Sequence, residues 1–234
     1  EYKDYLGSEL LLFKAIKKYK LVKDNKQLYR AYNSLGILQN ELTEYDKAIF
    51  YYNKSFEYYN KIEKNKEKYW KGYNNIGNAY LAKKEYSKAL RFYNKDLKKD
   101  VNPERFSRVL NNRAYCKLLM LDTVGIKKDF FLSLKIRDSL GKKTEVISSK
   151  KYISEYYLFL KDTINAYIFA KEANTLAKVI KNEDQYLITL KQLADLDTKN
   201  AKKYLESYIF LSDSVTSIER KTINKFSRIE FETD

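Results

Sequence analysis

The sequence contains no histidine, one cysteine, one proline and only six glycines in 234 residues. Without histidine, the commonest general base and metal ligand near neutral pH is missing. Cys116 is single, so no intramolecular disulfide forms and no metal site is built from cysteines; beside Tyr115 it reads as a packed small residue. No apolar run approaches the ~20 residues of a membrane span. No signal peptide opens the chain, and its start, EYKDYLGSELLLF, reads as the middle of a longer sequence. Paired carboxylates arranged for catalysis do not stand out: Asp195 and Asp197 lie in a short loop and suit helix capping. These absences point away from an enzyme and lead us to expect no cofactor and no metal.

What is present favours helices. Hydrophobic residues make up 44% and charged residues 33% of the chain, a profile of amphipathic helices rather than disorder. The net charge of +15 fits either an anionic partner or a lysine-rich solvated surface. It is uneven: residues 1–182 carry 38 basic and 21 acidic side chains, whereas residues 183–234 carry 8 and 10.

Gly72 and Gly77, in GYNNIGNAYLAKKEYSKAL, are spaced as in a phosphate-binding loop. That chemistry needs Lys and then Ser or Thr after the second glycine. Here Asn78 and Ala79 follow, and the preceding KNKEKYWK is polar and helix-prone rather than a strand. The stretch is explained by its copies. Tyr32-Asn-Ser-Leu-Gly36 aligns with Tyr73-Asn-Asn-Ile-Gly77; alanine follows twelve residues later, at Ala48 and Ala89, then tyrosine at Tyr52 and Tyr93. The offset between the glycines is 41 residues. Looser copies run Leu110-Asn-Asn-Arg-Ala114, Lys150-Lys-Tyr-Ile-Ser154 and Leu190-Lys-Gln-Leu-Ala194. Ser8, Leu12 and Ala15 match only the second half of a copy.

A period near 40 with two helix-length halves indicates stacked helical hairpins. Gly36, Gly77 and Ala114 lack bulk so that paired helices approach closely, with Ala48 and Ala89 doing the same from the facing helix. The expected division is a second half-repeat over 1–26, repeats over 27–66, 67–103, 104–144, 145–182 and 183–215, and a helical extension over 216–234, all in one solenoid domain.

Tyr73, Ile76, Gly77, Tyr80, Ala89 and Tyr93 resemble the tetratricopeptide repeat (TPR). The departures are Arg113 in place of a leucine, Gln39 in place of the tyrosine and Asp96 in place of the final small residue. The resemblance implies an all-α fold: a right-handed superhelix of antiparallel hairpins, with a concave groove lined by the first helix of each and a long helix at the C-terminus. It also implies a protein-interaction module.

The tail follows a helical stripe, Tyr208, Leu211, Val215, Ile218, Thr222, Phe226 and Ile229, close to the coiled-coil period. It suits either a capping helix or a rod. Lys225-Phe-Ser-Arg-Ile-Glu-Phe-Glu-Thr-Asp234 resembles the end of the repeat region in bacterial membrane-anchored TPR regulators. That resemblance implies a periplasmic or otherwise extracytoplasmic sensor segment, attached to the membrane only through a following helix outside this chain; a cytoplasmic location is the alternative.

Counted from each repeat's small residue, one helix face carries Arg30, Asn33, Lys71, Asn74, Asn75, Asn78, Arg108, Asn111, Asn112 and Tyr115. Asparagine pairs with peptide backbone without reading its sequence, and Arg and Lys hold carboxylates. These ten residues are the expected groove site for an acidic protein or peptide partner. A structural assembly adaptor without a sensing role is one alternative. A basic, tyrosine-rich RNA-binding helical repeat is another, though the expectation is that this segment binds no nucleic acid.

Overall fold

The computed structural model describes residues 4–62, 72–97 and 102–233, and among these residues there are eleven α-helices and no strand. The helices are α1 (Tyr5–Leu21), α2 (Asn25–Glu41), α3 (Tyr45–Asn60), α4 (Tyr73–Ala82), α5 (Tyr86–Leu97), α6 (Pro103–Leu119), α7 (Ile126–Ser139), α8 (Lys143–Phe159), α9 (Thr163–Val179), α10 (Glu183–Leu196) and α11 (Ala201–Thr233). Two compact units emerge, Lys3–Ile126 and Lys127–Asp234. The cut falls inside the expected third repeat, one residue into α7.

In the N-terminal unit each helix packs on the next, from α1 to α6, and α4 also meets α6. The glycines explain the closeness. A β-carbon on Gly77 would lie 2.5 Å from the Tyr93 ring, and one on Gly36 would overlap the Tyr52 ring. Both rings are buried, as are Ala48 and Ala89 on the same helices. The missing side chain is therefore filled by an aromatic from the second helix of the same hairpin, which keeps the interior dense. Further rings close the seams: Tyr32 stacks on Tyr58 at 5.3 Å, and Tyr80 on Phe92 at 5.5 Å.

Helix starts follow short polar side chains. Asp24 accepts from the amides of Lys26 and Gln27, Asn102 from Arg105 and Asp162 from Asn165, each satisfying an amide the helix itself cannot. Helices α3, α8 and α4 have no such side chain; α4 answers the lack from a neighbouring helix. Its N-cap is Gly72, in the left-handed region at φ 67°, with no capping side chain of its own. Instead, the buried Asp96 on α5 accepts the Asn74 amide at 2.7 Å. A carboxylate thus stands where the repeat expects a small residue, because it caps the neighbouring helix.

Helix ends show what scarce glycine entails. Thr43, Lys84, Leu121, Lys161 and Lys181 take positive φ between 55° and 62°, just past the ends of α2, α4, α6, α8 and α9. This is a conformation that glycine adopts without steric cost and other residues do not. Only Gly125 and Gly141 use glycine for such a φ outside the α4 cap.

In the C-terminal unit, α8 packs on α9, α9 on α10, and α10 on α11. Ala166, Ala170, Ala173 and Ala177 of α9 are all fully buried, a stripe at helical spacing with no glycine in it. Ser154, at the position of Gly36 and Gly77, donates its hydroxyl to the Ala166 carbonyl at 2.7 Å. The twelve-residue offset read from the sequence is therefore a direct contact between facing helices. Arg137 of α7 is buried and donates to the Glu145 carbonyl and to Ser149 Oγ, at 2.9 and 2.8 Å. Helix α11 has 33 residues against 14 in α10, or about 50 Å against about 21 Å, so more than half of it runs past its partner. Among the described residues no helix is long and apolar enough to cross a membrane.

Candidate functional site

The expected site residues lie on α2, α4 and α6, the first helices of three successive hairpins. Lys71 lies outside the described residues. The others do not simply line an open face, because the asparagines bind each other. Asn75 Nδ2 donates to Asn33 Oδ1 at 3.3 Å, joining α4 to α2. Asn112 Nδ2 donates to Asn74 Oδ1 at 2.9 Å and to Asn78 Oδ1 at 3.0 Å, joining α6 to α4. The Tyr93 hydroxyl also donates to Asn78 Oδ1, at 2.8 Å.

This ladder corrects part of the sequence reading. Asn74 and Asn111 are buried at 1% exposure, so they lie beneath the surface rather than facing a ligand. Asn33, Asn75, Asn78 and Asn112 are half-buried, with some of their hydrogen-bonding capacity already used between helices. The same positions that suggested backbone recognition recur because each amide reaches the next hairpin, one repeat away. Spacing alone does not separate those two uses, since both put asparagine on one helix face at one offset.

What remains toward solvent is the basic and aromatic part. Arg30 is exposed on α2. Arg108 is half-buried and forms an ion pair with Glu104 at 3.3 Å, one turn earlier on α6. Tyr115 is half-buried on α6. An exposed i,i+4 pair such as Glu104–Arg108 is worth only about 0.3–0.5 kcal/mol, so a partner carboxylate competes readily for the guanidinium. Cys116 next to it is fully buried, and burial pushes its thiol up to about 11. It is inert packing, as the sequence suggested. Among the described residues no group of three or more His, Cys, Asp or Glu side chains is placed to hold a metal.

No protein-family model matches the chain, and no curated protein does. Solved structures do. The chain superposes on BtubC (BKLC) from P. vanneervenii with a TM-score of 0.69 at 13% identity, covering 92% of this chain and 93% of that one. The apo form of RapI gives 0.70 at 11% identity, covering 97% and 94%. A STAND signal-transduction ATPase with a tetratricopeptide repeat sensor, from Pyrococcus horikoshii, gives 0.66 at 21% identity, covering 87% of this chain and 33% of that one. The fold is TPR-like. At these identities the likeness concerns the fold alone.

The departures from the TPR pattern then have local causes. Gln39 is buried and its amide donates to Glu9 at 2.8 Å, tying α2 to α1. Arg113 donates to Asn94 Oδ1 at 3.2 Å, tying α6 to α5. Asp96 caps α4. Each replaces an aromatic, apolar or small residue with a polar link between neighbouring helices. The part played by Tyr93 in the asparagine ladder was also hidden in the sequence, where the residue reads as packing only.

Proposed function

We propose that the chain works by binding rather than by catalysis, as a protein-interaction module. The layer of first helices α2, α4 and α6 holds an acidic peptide or protein segment. The observation that carries this reading is the pairing of cation supply with a fixed polar backing: Arg30 and Arg108 reach solvent beside an asparagine ladder that locks the three helices in register. A preorganised surface loses less ordering entropy on binding. The N-terminal unit carries 26 basic and 14 acidic residues, which adds long-range attraction for an acidic segment. The TPR-like fold supports the same class of partner.

The finer proposal is a sensor segment of a membrane-anchored bacterial regulator, placed outside the cytoplasm, with α11 carrying the bound state onward. The resemblance of residues 225–234 to such regulators and the 33-residue length of α11 support it.

Reversing Arg30, Lys71 and Arg108 to Glu tests the binding face. The expected result is loss of partner capture with helicity and melting temperature retained. Unchanged capture removes the groove assignment. If single-stranded oligonucleotides bind with a steep salt slope and compete with acidic peptides, the partner is RNA instead. Alkaline phosphatase and fluorescent-protein fusions to the full-length protein test the location: a signal from the fluorescent fusion alone puts the module in the cytoplasm.

A further inference from the structure

The C-terminal unit contains a cavity of about 490 Å³ among α7, α8 and α9, within the ~300–1,000 Å³ range of small-molecule sites. Its walls are aliphatic: Val146 from α8, and Ile168, Leu176 and Val179 from α9. Ile168 and Val179 remain 43% and 68% exposed, so the space opens to solvent along α9 rather than being sealed. Branched aliphatics on an open wall gain from being covered by an apolar body.

Two polar contacts border the space. Tyr167, a lining residue, is close enough to Tyr204 of α11 that its hydroxyl, with burial, pushes the Tyr204 phenol up to about 12. Lys150 of α8 and Glu172 of α9 form an ion pair at 2.5 Å on the cavity wall.

The charges at the rim choose the ligand's polar end. Glu172 is neutralised by Lys150. Among the described residues Lys171 has no carboxylate partner; its ammonium lies 5.5 Å from the centre of the Tyr167 ring. Asp138 of α7 also lines the cavity, and its carboxylate repels negative charge on the ligand, which Lys171 offsets for one carboxylate but not for two. We propose that this cavity binds a small aliphatic monocarboxylate, with its chain against Val146, Ile168, Leu176 and Val179 and its carboxylate on Lys171. The site is separate from the peptide-binding face proposed above and does not depend on it.

Titration of the protein with octanoate, octylamine and suberate, followed by backbone amide shifts, tests the assignment. Octanoate is expected to give saturable shifts centred on Ile168, Lys171, Thr175 and Val179, with the amine and the dicarboxylate binding more weakly. Lys171→Glu should weaken octanoate about fivefold, the range of an exposed ion pair. Thr175→Trp, which fills the cavity from its lining, should abolish binding while circular dichroism stays helical; should that variant fail to fold, Lys171→Glu decides alone. Octylamine binding as tightly as octanoate, unchanged affinity in Lys171→Glu, or shifts that never saturate would each overturn the proposal. None of these outcomes bears on capture by Arg30 and Arg108, so the two readings fail separately.

Discussion

The two units bring paired helices together by different means. In the N-terminal unit, glycines receive tyrosine rings, Gly36 with Tyr52 and Gly77 with Tyr93, and amides join the first helices of successive hairpins. In the C-terminal unit, the corresponding glycine position is Ser154, the close face is an alanine stripe, and the hydroxyl bonds directly to the facing backbone. Charge differs too: 26 basic against 14 acidic residues in Lys3–Ile126, and 20 against 16 in Lys127–Asp234. One repeat pattern thus tolerates two packing solutions, a glycine under a tyrosine ring in one unit and a serine against alanines in the other. The polar, strongly basic solution accompanies the candidate peptide face. The alanine solution accompanies the aliphatic cavity.

The largest expected effect tests whether these solutions are distinct. Gly77→Ala puts a β-carbon 2.5 Å from a ring that is fully buried and bonded to Asn78. Overpacking of this kind costs about 1–3 kcal/mol. Ser154→Ala adds no bulk and removes one hydrogen bond, so about 0.5–1.5 kcal/mol is expected. Urea melts of the two variants check the order, and equal losses would mean that the two units pack by the same rule. Next in size is Asn112→Ala, which removes the donor shared by Asn74 and Asn78. Asn78 Oδ1 keeps the Tyr93 hydroxyl, but the buried Asn74 acceptor loses this donor, which costs about 1–3 kcal/mol. Gln192→Ala, which loses a single bond to the Lys151 carbonyl in the other unit, should cost less. The same chemical denaturation experiment ranks them.

These comparisons also mark what the sequence made legible. The 41-residue offset, the small residues and the alanines twelve positions on are volume constraints, and volume leaves a trace in residue identity. The ladder left the same trace as a binding face, since asparagine serves either use. Asp96 looked like a departure because its partner, the Asn74 amide, is a backbone group and has no letter in the sequence. The cavity gave no signal, because most of its lining is one face of α9 at ordinary helical spacing, which reads the same whether that face is covered by a neighbouring helix or left open.

A pH experiment sharpens the contrast further. Glu155 lies on α8, where burial raises its carboxyl above the usual range although Lys151 at 3.9 Å opposes the shift. Between the ordinary glutamate value and this raised one, the folded state binds more protons than the unfolded state. Stability should therefore fall as pH rises through that window and stay lower above it. Glu155→Gln is expected to remove this slope and to melt at a higher temperature at neutral pH. Thermal melts from mildly acidic to neutral pH measure it; a wild-type curve already flat across this range would assign the carboxyl an ordinary environment.

The smallest expected effect concerns the turns, where the units are alike. Thr43 ends the α2 turn at φ 61° and is β-branched, the side-chain class least suited to the left-handed region. Lys161 takes the same φ after α8, without the branch. Gly141, at φ 64°, already has the residue that fits, and a β-carbon there would meet nothing within 4 Å. Thr43→Gly should therefore stabilise by about 1 kcal/mol, and Lys161→Gly by less, since each relieves a backbone cost while loosening the unfolded chain. Gly141→Lys should cost about 1 kcal/mol for the opposite reason. Because nothing crowds the Gly141 site, its loss isolates the backbone contribution from packing. If Thr43→Gly destabilises while Gly141→Lys is neutral, side-chain contacts at these turns outweigh φ, and the scarcity of glycine is no burden on this chain.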